Sequence, residues 1–169
     1  TEIVRRWTAR FGEENVVAVH IATQEHEGWW YEGAGIYRHA YLIKKGLTHF
    51  APDEVFVHSV LDSDSNATLL VDALLENLSS KESAELKVRL TVKDKDGATL
   101  ASEDMPVKDK IRPRDNKAIS LKTQLKDLKL WSPDEPYLYT VEVSLFEDDT
   151  ELDKVTVRHG FRKLVFDPD

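Results

Sequence analysis

Residues 86–93 read Leu-Lys-Val-Arg-Leu-Thr-Val-Lys, and this stretch decides the fold class. Its Leu and Val residues alternate with polar residues, so the four apolar side chains fall on one face of an extended chain. The pattern predicts a β-strand that is buried on one face and solvated on the other. The turn signal Asp96-Gly97 follows, and a second strand-like run at 98–104 comes after it, so the two runs are predicted to form a hairpin.

The same period of two recurs on both sides of this hairpin. The run 139–145 is the clearest copy, and 119–125 is a weaker one with Thr123 at an inward place. The segment 67–76 is rich in Leu and Ala, which would suit a helix, but its place among alternating strands favours a strand. The further strand candidates are 55–60, 67–76, 119–125, 138–146 and 152–159.

Seven short strands separated by turn residues, with little helix, are typical of an all-β, immunoglobulin-like antiparallel β-sandwich. Hydrophobic residues make up 41% and charged residues 32% of the 169 positions, as in an ordinary globular protein. There are no cysteines, which excludes disulfides, thiolate metal sites and cysteine nucleophiles. The sequence therefore predicts a core built by apolar burial alone.

The net charge of −8 argues against a nucleic-acid partner and against an anionic membrane, because both need a basic surface. No run approaches the roughly 18 apolar residues that span a bilayer. The six histidines lack a close metal-ligand spacing, and Gly33-Ala-Gly35 lacks the third glycine of a dinucleotide loop. We therefore expect no cofactor and no metal. The sequence assigns no compartment, and a cytoplasmic location and a periplasmic or secreted one both fit.

The segment 130–139, Leu-Trp-Ser-Pro-Asp-Glu-Pro-Tyr-Leu-Tyr, interrupts the strand pattern. Its two prolines cannot donate to a sheet ladder, so we predict an irregular crossing before the strand at 138–146. Trp131 is predicted to cap one end of the core, and a tyrosine at the start of the strand to hydrogen-bond back across the corner. The corner is interpreted as structural.

The first forty-five residues have a different pattern. Residues 15–21 and 36–43 are plausible strands, and an aromatic, glycine-rich stretch lies between them. Two strands are too few for a domain of their own. At the other end, Leu164-Val-Phe166 begins an apolar segment that stops after three residues. We therefore expect the sequence to be a piece of a longer chain.

Three motifs occur together and in order: Trp29-Trp-Tyr-Glu-Gly-Ala-Gly-Ile-Tyr-Arg-His39, the Leu-Trp-Ser-Pro corner at 130–139, and Gly160-Phe-Arg162. As a set they resemble glycoside hydrolase family 2, the β-galactosidase and β-glucuronidase group. The resemblance implies the last strands of a jelly-roll sugar-binding domain at 1–45, an immunoglobulin-like sandwich at 46–160, and the start of a catalytic (β/α)8 barrel at 161–169. It also implies a parent hydrolase that cleaves terminal β-glycosidic bonds with retention in carbohydrate metabolism.

The catalytic residues of that family do not appear in this chain. Retaining hydrolysis uses two carboxyl groups, and in the family both are glutamates, the acid/base following an asparagine. The four asparagines here are followed by Val16, Ala67, Leu78 and Lys117, so no Asn-Glu pair exists. We expect no catalytic residue in this chain, whose partners would be the jelly-roll and barrel domains of the parent chain and, through the parent enzyme, its carbohydrate substrate.

Five residues are candidates for contact with substrate or with another domain. Trp29, Trp30 and Tyr31 could stack on a sugar, but adjacent strand residues face opposite ways, so packing between domains is favoured. Arg38 and Arg162 are likewise interpreted as contacts to other domains rather than to substrate.

Two further hypotheses belong to other classes. The Trp29–Tyr31 cluster would suit a stand-alone carbohydrate-binding module, and the strand pattern alone would suit an immunoglobulin-like adhesion domain. Apolar surface left uncovered could also be buried by self-association into a homo-oligomer.

Overall fold

The computed structural model describes residue 10 and residues 12–20, 35–63 and 65–163. The chain divides into two compact units, Thr1–Ile43 and Lys44–Asp169.

Seven strands form in the second unit. One sheet has the order β1-β2-β5 and the other the order β4-β3-β6-β7, and all neighbouring strands run antiparallel. The described residues contain no helix. The predicted all-β, immunoglobulin-like sandwich is confirmed. The strands are β1 Thr48–Leu61, β2 Ala67–Asn77, β3 Leu86–Lys93, β4 Thr99–Pro106, β5 Asp115–Leu125, β6 Tyr139–Glu147 and β7 Thr150–His159.

The core lies between the two sheets and is made by the alternating residues of the central strands. In β3 and β6 every second residue is buried, as the sequence pattern predicted. β2 is a strand, although its composition also suited a helix. Its composition resembles that of a helix because β2 carries apolar side chains on both faces. Leu70 and Leu74 lie on the outer face and are partly covered. The buried side chains of the three strands include Leu69, Val71, Leu75, Val88, Leu90, Val92, Val141, Val143 and Leu145.

The hairpin between β3 and β4 forms around Asp94 rather than at Asp96-Gly97 alone. The Asp94 carboxylate accepts hydrogen bonds from the backbone N–H groups of Asp96 and Ala98 at 2.9 and 2.8 Å. Gly97 has φ +87°, a left-handed conformation that favours glycine. The Asp-Gly signal therefore predicted the turn, and Asp94 closes it.

β1 is longer than the predicted strand at 55–60. Its ladder with β2 is interrupted between Phe50 and Val55, where Asp53 has φ +62°. Pro52 lies in this interruption, so a period-two pattern detects only the second half of the strand. Asp153 on the edge strand β7 joins β1 and the residues before it to the other sheet. Its carboxylate accepts from the Phe50 N–H of β1 at 3.0 Å and forms an ion pair with Lys45 Nζ, ahead of β1, at 2.6 Å.

The described residues of the first unit form no strand. Residues 15–20 and 36–43 are irregular and exposed, with Val16 at 77% exposure, so the two strands predicted there are not formed. A single extended segment leaves its backbone N–H and C=O groups unpaired, and neither segment has a strand partner among the described residues. Residue 21 lies outside the described part of the chain.

Replacing a core leucine of β3 tests the assignment of the core. Leu90→Ala is expected to lower the free energy of unfolding by about 2–5 kcal/mol, because it empties a site where the side chain is 1% exposed. Leu100→Ala, on β4 where the side chain is 48% exposed, is the matched control and should cost less than about 1 kcal/mol. Urea denaturation followed by tryptophan fluorescence measures both. Equal losses in the two variants would contradict this core.

Candidate functional site at the sandwich corner

The crossing from β5 to β6, residues 126–138, is the irregular corner that the two prolines predicted. Three backbone N–H groups of the corner donate hydrogen bonds to the sandwich. Leu128 donates to the Ser65 carbonyl at 2.8 Å, and Trp131 donates to the Phe161 carbonyl at 2.7 Å. Lys129 donates to a side chain of β6. The corner is therefore fixed although it lies outside both sheets.

Tyr139 makes the hydrogen bond across the corner that the sequence predicted. Its hydroxyl oxygen accepts from the Lys129 N–H at 2.8 Å. Burial raises the pKa of the Tyr139 hydroxyl, and the bond from Lys129 only partly opposes this effect. The hydroxyl is therefore neutral under ordinary conditions and serves as a structural acceptor.

Phe161 extends the sandwich core beyond β7. Its side chain is 0% exposed and packs edge-on against Tyr139 and His159, with ring centroids 5.2 and 4.8 Å away. The sequence placed the end of the sandwich at residue 160. Phe161 belongs to the core, one residue past that predicted boundary.

Trp131 and the Gly160-Phe-Arg162 motif pack together at this corner. A Cβ atom on Gly160 would lie 3.1 Å from the Trp131 side chain, so a glycine allows the two segments to approach this closely. The Arg162 guanidinium lies 5.5 Å from the centroid of the Trp131 ring, within the range of a cation–π contact. Trp131 is partly buried here, which agrees with its predicted role as a cap.

A surface cleft of about 490 Å³ opens beside these residues. His159 lies in it with Nε2 2.9 Å from the Ser59 hydroxyl oxygen of β1. Burial lowers the pKa of His159, and the nearby His58 and Arg162 lower it further, since both disfavour a second positive charge. The cleft is lined by Val57, His58, Ser59, Trp131, Leu138, Arg158, His159, Gly160 and Arg162.

Of the five sequence-predicted contact residues, the structure describes two. Arg162 lines this cleft, whereas Arg38 is an exposed residue of the first unit, with its guanidinium 5.5 Å from the Tyr37 ring. The predictions for Trp29, Trp30 and Tyr31 fall outside the described residues.

Sequence reasoning missed His58, Ser59, Arg158 and His159. Ser59 and His159 are 100 positions apart in the chain, so no local spacing could have paired them. The one available signal was the position of His159 directly before the Gly160-Phe-Arg162 motif.

Within the described ranges, no three His, Asp or Glu side chains gather closely enough to hold a metal ion. No helix in that part of the chain is long and apolar enough to cross a lipid bilayer.

The fold and the corner define an immunoglobulin-like sandwich whose last core residue lies beyond its last strand. The family described as glycosyl hydrolases family 2 matches residues 48–162, from the start of β1 to Arg162. The match covers more than half of the chain, so the chain belongs to glycosyl hydrolases family 2.

Similar proteins include enzymes of this family that are much longer. A β-galactosidase of Thermoanaerobacter pseudethanolicus is 27% identical over 164 residues, covering 92% of this chain and 21% of that protein. A β-galactosidase of Bacteroides ovatus is 27% identical over 161 residues, covering 94% of this chain and 18% of that protein. The chain thus spans about a fifth of the length of these curated relatives.

Solved structures show the same likeness. A β-glucuronidase of Bacteroides uniformis superposes with a TM-score of 0.66 at 27% identity, over 73% of this chain and 15% of that one. A β-glycosidase from Bacteroides vulgatus superposes with a TM-score of 0.67 at 28% identity, over 82% of this chain and 16% of that one.

The bond at Tyr139 can be tested by removing one hydroxyl. Tyr139→Phe is expected to lower the free energy of unfolding by about 1–3 kcal/mol, because the partly buried Lys129 N–H loses its acceptor. The matched control is Tyr137→Phe, which should change the free energy by about 0.5 kcal/mol or less. Thermal or urea unfolding measures the difference. An unchanged stability in Tyr139→Phe would show that the corner does not depend on this bond.

Proposed function

We propose that this sandwich is the non-catalytic domain of a retaining β-glycosidase of the β-galactosidase and β-glucuronidase group. In that role it holds a sugar-binding domain and a catalytic domain in fixed relation. One observation carries the proposal: the family match begins with β1 and ends at Arg162, while the two β-galactosidases named above are covered only to 21% and 18% of their length. The sandwich corresponds to one part of a larger enzyme.

The chemistry of the chain supports a structural role. A retaining glycosidase needs two carboxyl groups about 5–5.5 Å apart, one as nucleophile and one as acid/base. The corner cleft has no carboxylate among its described lining residues. The parent hydrolase activity, its β-galactosidase-like substrate and the domain limits 1–45, 46–160 and 161–169 are part of the proposal.

The two outer faces of the sandwich differ in a way that suits a spacer. On the larger sheet, charged side chains pair with one another, as in Lys93 with Glu142 at 2.7 Å. On the smaller sheet, Phe56 and Val60 are 63% and 57% exposed and lie on the same face as the partly covered Leu70. An exposed apolar patch on a small domain marks a contact surface. We assign this face to contact with a neighbouring domain of the parent chain.

A rigid spacer would affect the rate of the parent enzyme's reaction directly, because it sets the positions of the domains that contact the substrate. Displacing a substrate-contacting group by an ångström can cost on the order of a hundredfold in rate. Phe161 and the bonds at Lys129 and Trp131 hold the exit of β7 against the core, so a domain attached there would inherit a fixed direction.

The absence of catalysis is tested by assaying the chain with nitrophenyl β-galactoside and β-glucuronide. No turnover above the buffer rate is expected, because the two catalytic glutamates are missing. The full-length Thermoanaerobacter pseudethanolicus β-galactosidase serves as the positive control for the galactoside. Turnover that persists through further purification would contradict the proposal.

Calorimetric titration with neutral galactosides separates the spacer from a carbohydrate-binding module. The spacer predicts no saturable heat. Saturable binding that is abolished by Trp30→Ala would favour the module instead.

A further inference from the structure

The cleft at the sandwich corner is a basic site in an acidic protein. The chain has a net charge of −8, yet the cleft brings together Arg158, Arg162, His58 and His159. No Asp or Glu is found among the lining residues that the structure describes. His58 Nδ1 lies 3.9 Å from the Asp72 carboxylate, which is on the outer face of β2. The positive charge of the cleft itself is therefore not balanced by its own walls.

The two arginines, Arg158 and Arg162, have no ionic partner among the residues that the structure describes. This contrasts with Arg89 on the outer face of the same sheet, whose guanidinium donates to both oxygens of Asp104. A guanidinium presents several N–H donors in one plane and matches the two oxygens of a carboxylate.

Two of the groups that would contact a ligand, Arg162 and His159, are held by the core. Arg162 rests on the Trp131 ring, and the Trp131 N–H is bonded to the Phe161 carbonyl. The His159 ring is fixed between the Ser59 hydroxyl and the Phe161 ring. Donors that are already oriented lose less conformational entropy on binding, so such a site gains affinity without further contacts.

We propose that this cleft is a carboxylate-binding site in which the guanidinium groups of Arg158 and Arg162 hold the two carboxylate oxygens. The carboxylate could belong to an acidic side chain of an adjoining domain or to an acidic sugar. Only the first of these sources rests on the proposed spacer function. The recognition chemistry is the same for both.

Occupation of the site is coupled to the charge of His159. The groups around this imidazole are His58 and Ser59 on β1, Tyr139 on β6, and Arg158 and Arg162 on its own segment. Burial and the positive neighbours lower the pKa of His159, so the imidazole is neutral near neutral pH. A bound carboxylate favours the imidazolium and raises this pKa. Binding therefore takes up protons, and affinity rises as the pH falls toward the pKa of the occupied state.

The test uses NMR of this chain, following the imidazole Cε1–H resonance of His159 and the indole N–H resonance of Trp131. The probes are N-acetylglutamate α-amide, which has a free side-chain carboxylate, and glucuronate, each against its neutral counterpart, N-acetylglutamine amide or glucose. Ionic strength is held constant with sodium chloride, because exposed charges are screened by salt. We expect saturable shifts with a dissociation constant on the order of 10 mM, together with a rise in the pKa of His159.

Arg158→Gln and Arg162→Gln, together, should abolish both responses. Arg114→Gln, which removes an exposed arginine elsewhere on the sandwich, is the matched control and should leave them unchanged. The urea midpoint of each variant confirms that it is folded. A stronger response to N-acetylglutamate α-amide assigns the site to a protein side chain, and a stronger response to glucuronate assigns it to an acidic sugar.

Equal shifts with the neutral compounds, no shift with either carboxylate, or a full response in the double variant would each overturn the proposal. These outcomes are separate from the turnover assay. A chain that neither binds carboxylates nor hydrolyses glycosides keeps the spacer role and loses this site. A chain that hydrolyses glycosides loses the spacer role, whatever the cleft binds.

Discussion

The structure depends on how Phe161, which follows the last strand, is fixed in the core. Phe161 is fully buried against Tyr139 and His159, and its carbonyl accepts the Trp131 N–H. The side chain and the backbone of Phe161 thus hold two different segments, the crossing before β6 and the exit from β7. Because both are anchored to the same core, neither can shift without exposing a large aromatic side chain or breaking a hydrogen bond. The corner is consequently a rigid continuation of the sandwich.

This rigidity is what the proposed spacer role requires. Under that proposal, a chain that covers 21% and 18% of two related enzymes contributes through its shape and its surfaces. The paired charges on the larger sheet make a solvated face, whereas Phe56 and Val60 leave the smaller sheet with apolar surface to cover. The corner adds a third kind of surface, a basic cleft beside the exit of the chain. Three surfaces of different chemistry on one rigid body suit a domain that orients others.

The fold was largely predictable from the sequence because its signals are local. Alternation at 86–93 and 139–145 requires one buried face, and β3 and β6 form there with that face inward. Thr123, predicted to point inward, is buried, and its hydroxyl donates to the Glu103 carboxylate at 2.6 Å. The first half of β1 was missed because Pro52 breaks the pattern within the strand. Residues 15–20 show the opposite error, since an apolar segment forms a strand only beside a partner.

The site was less predictable because it depends on distant contacts. Arg162 and Trp131 could be found from their motifs, and they meet at the corner. His58 and Ser59 come from β1, on the other sheet, and only the closed sandwich brings them to His159.

Native-state hydrogen exchange of the Lys129 and Trp131 amides tests the rigid corner most directly. These amides lie outside the sheets, and their acceptors are the Tyr139 hydroxyl and the Phe161 carbonyl. If the corner is a continuation of the core, both should exchange only through global unfolding, with the same free energy as the amides of Leu90 and Val143. Exchange at the rate of the exposed turn at Asp96 would show that the corner opens on its own, and would contradict the account.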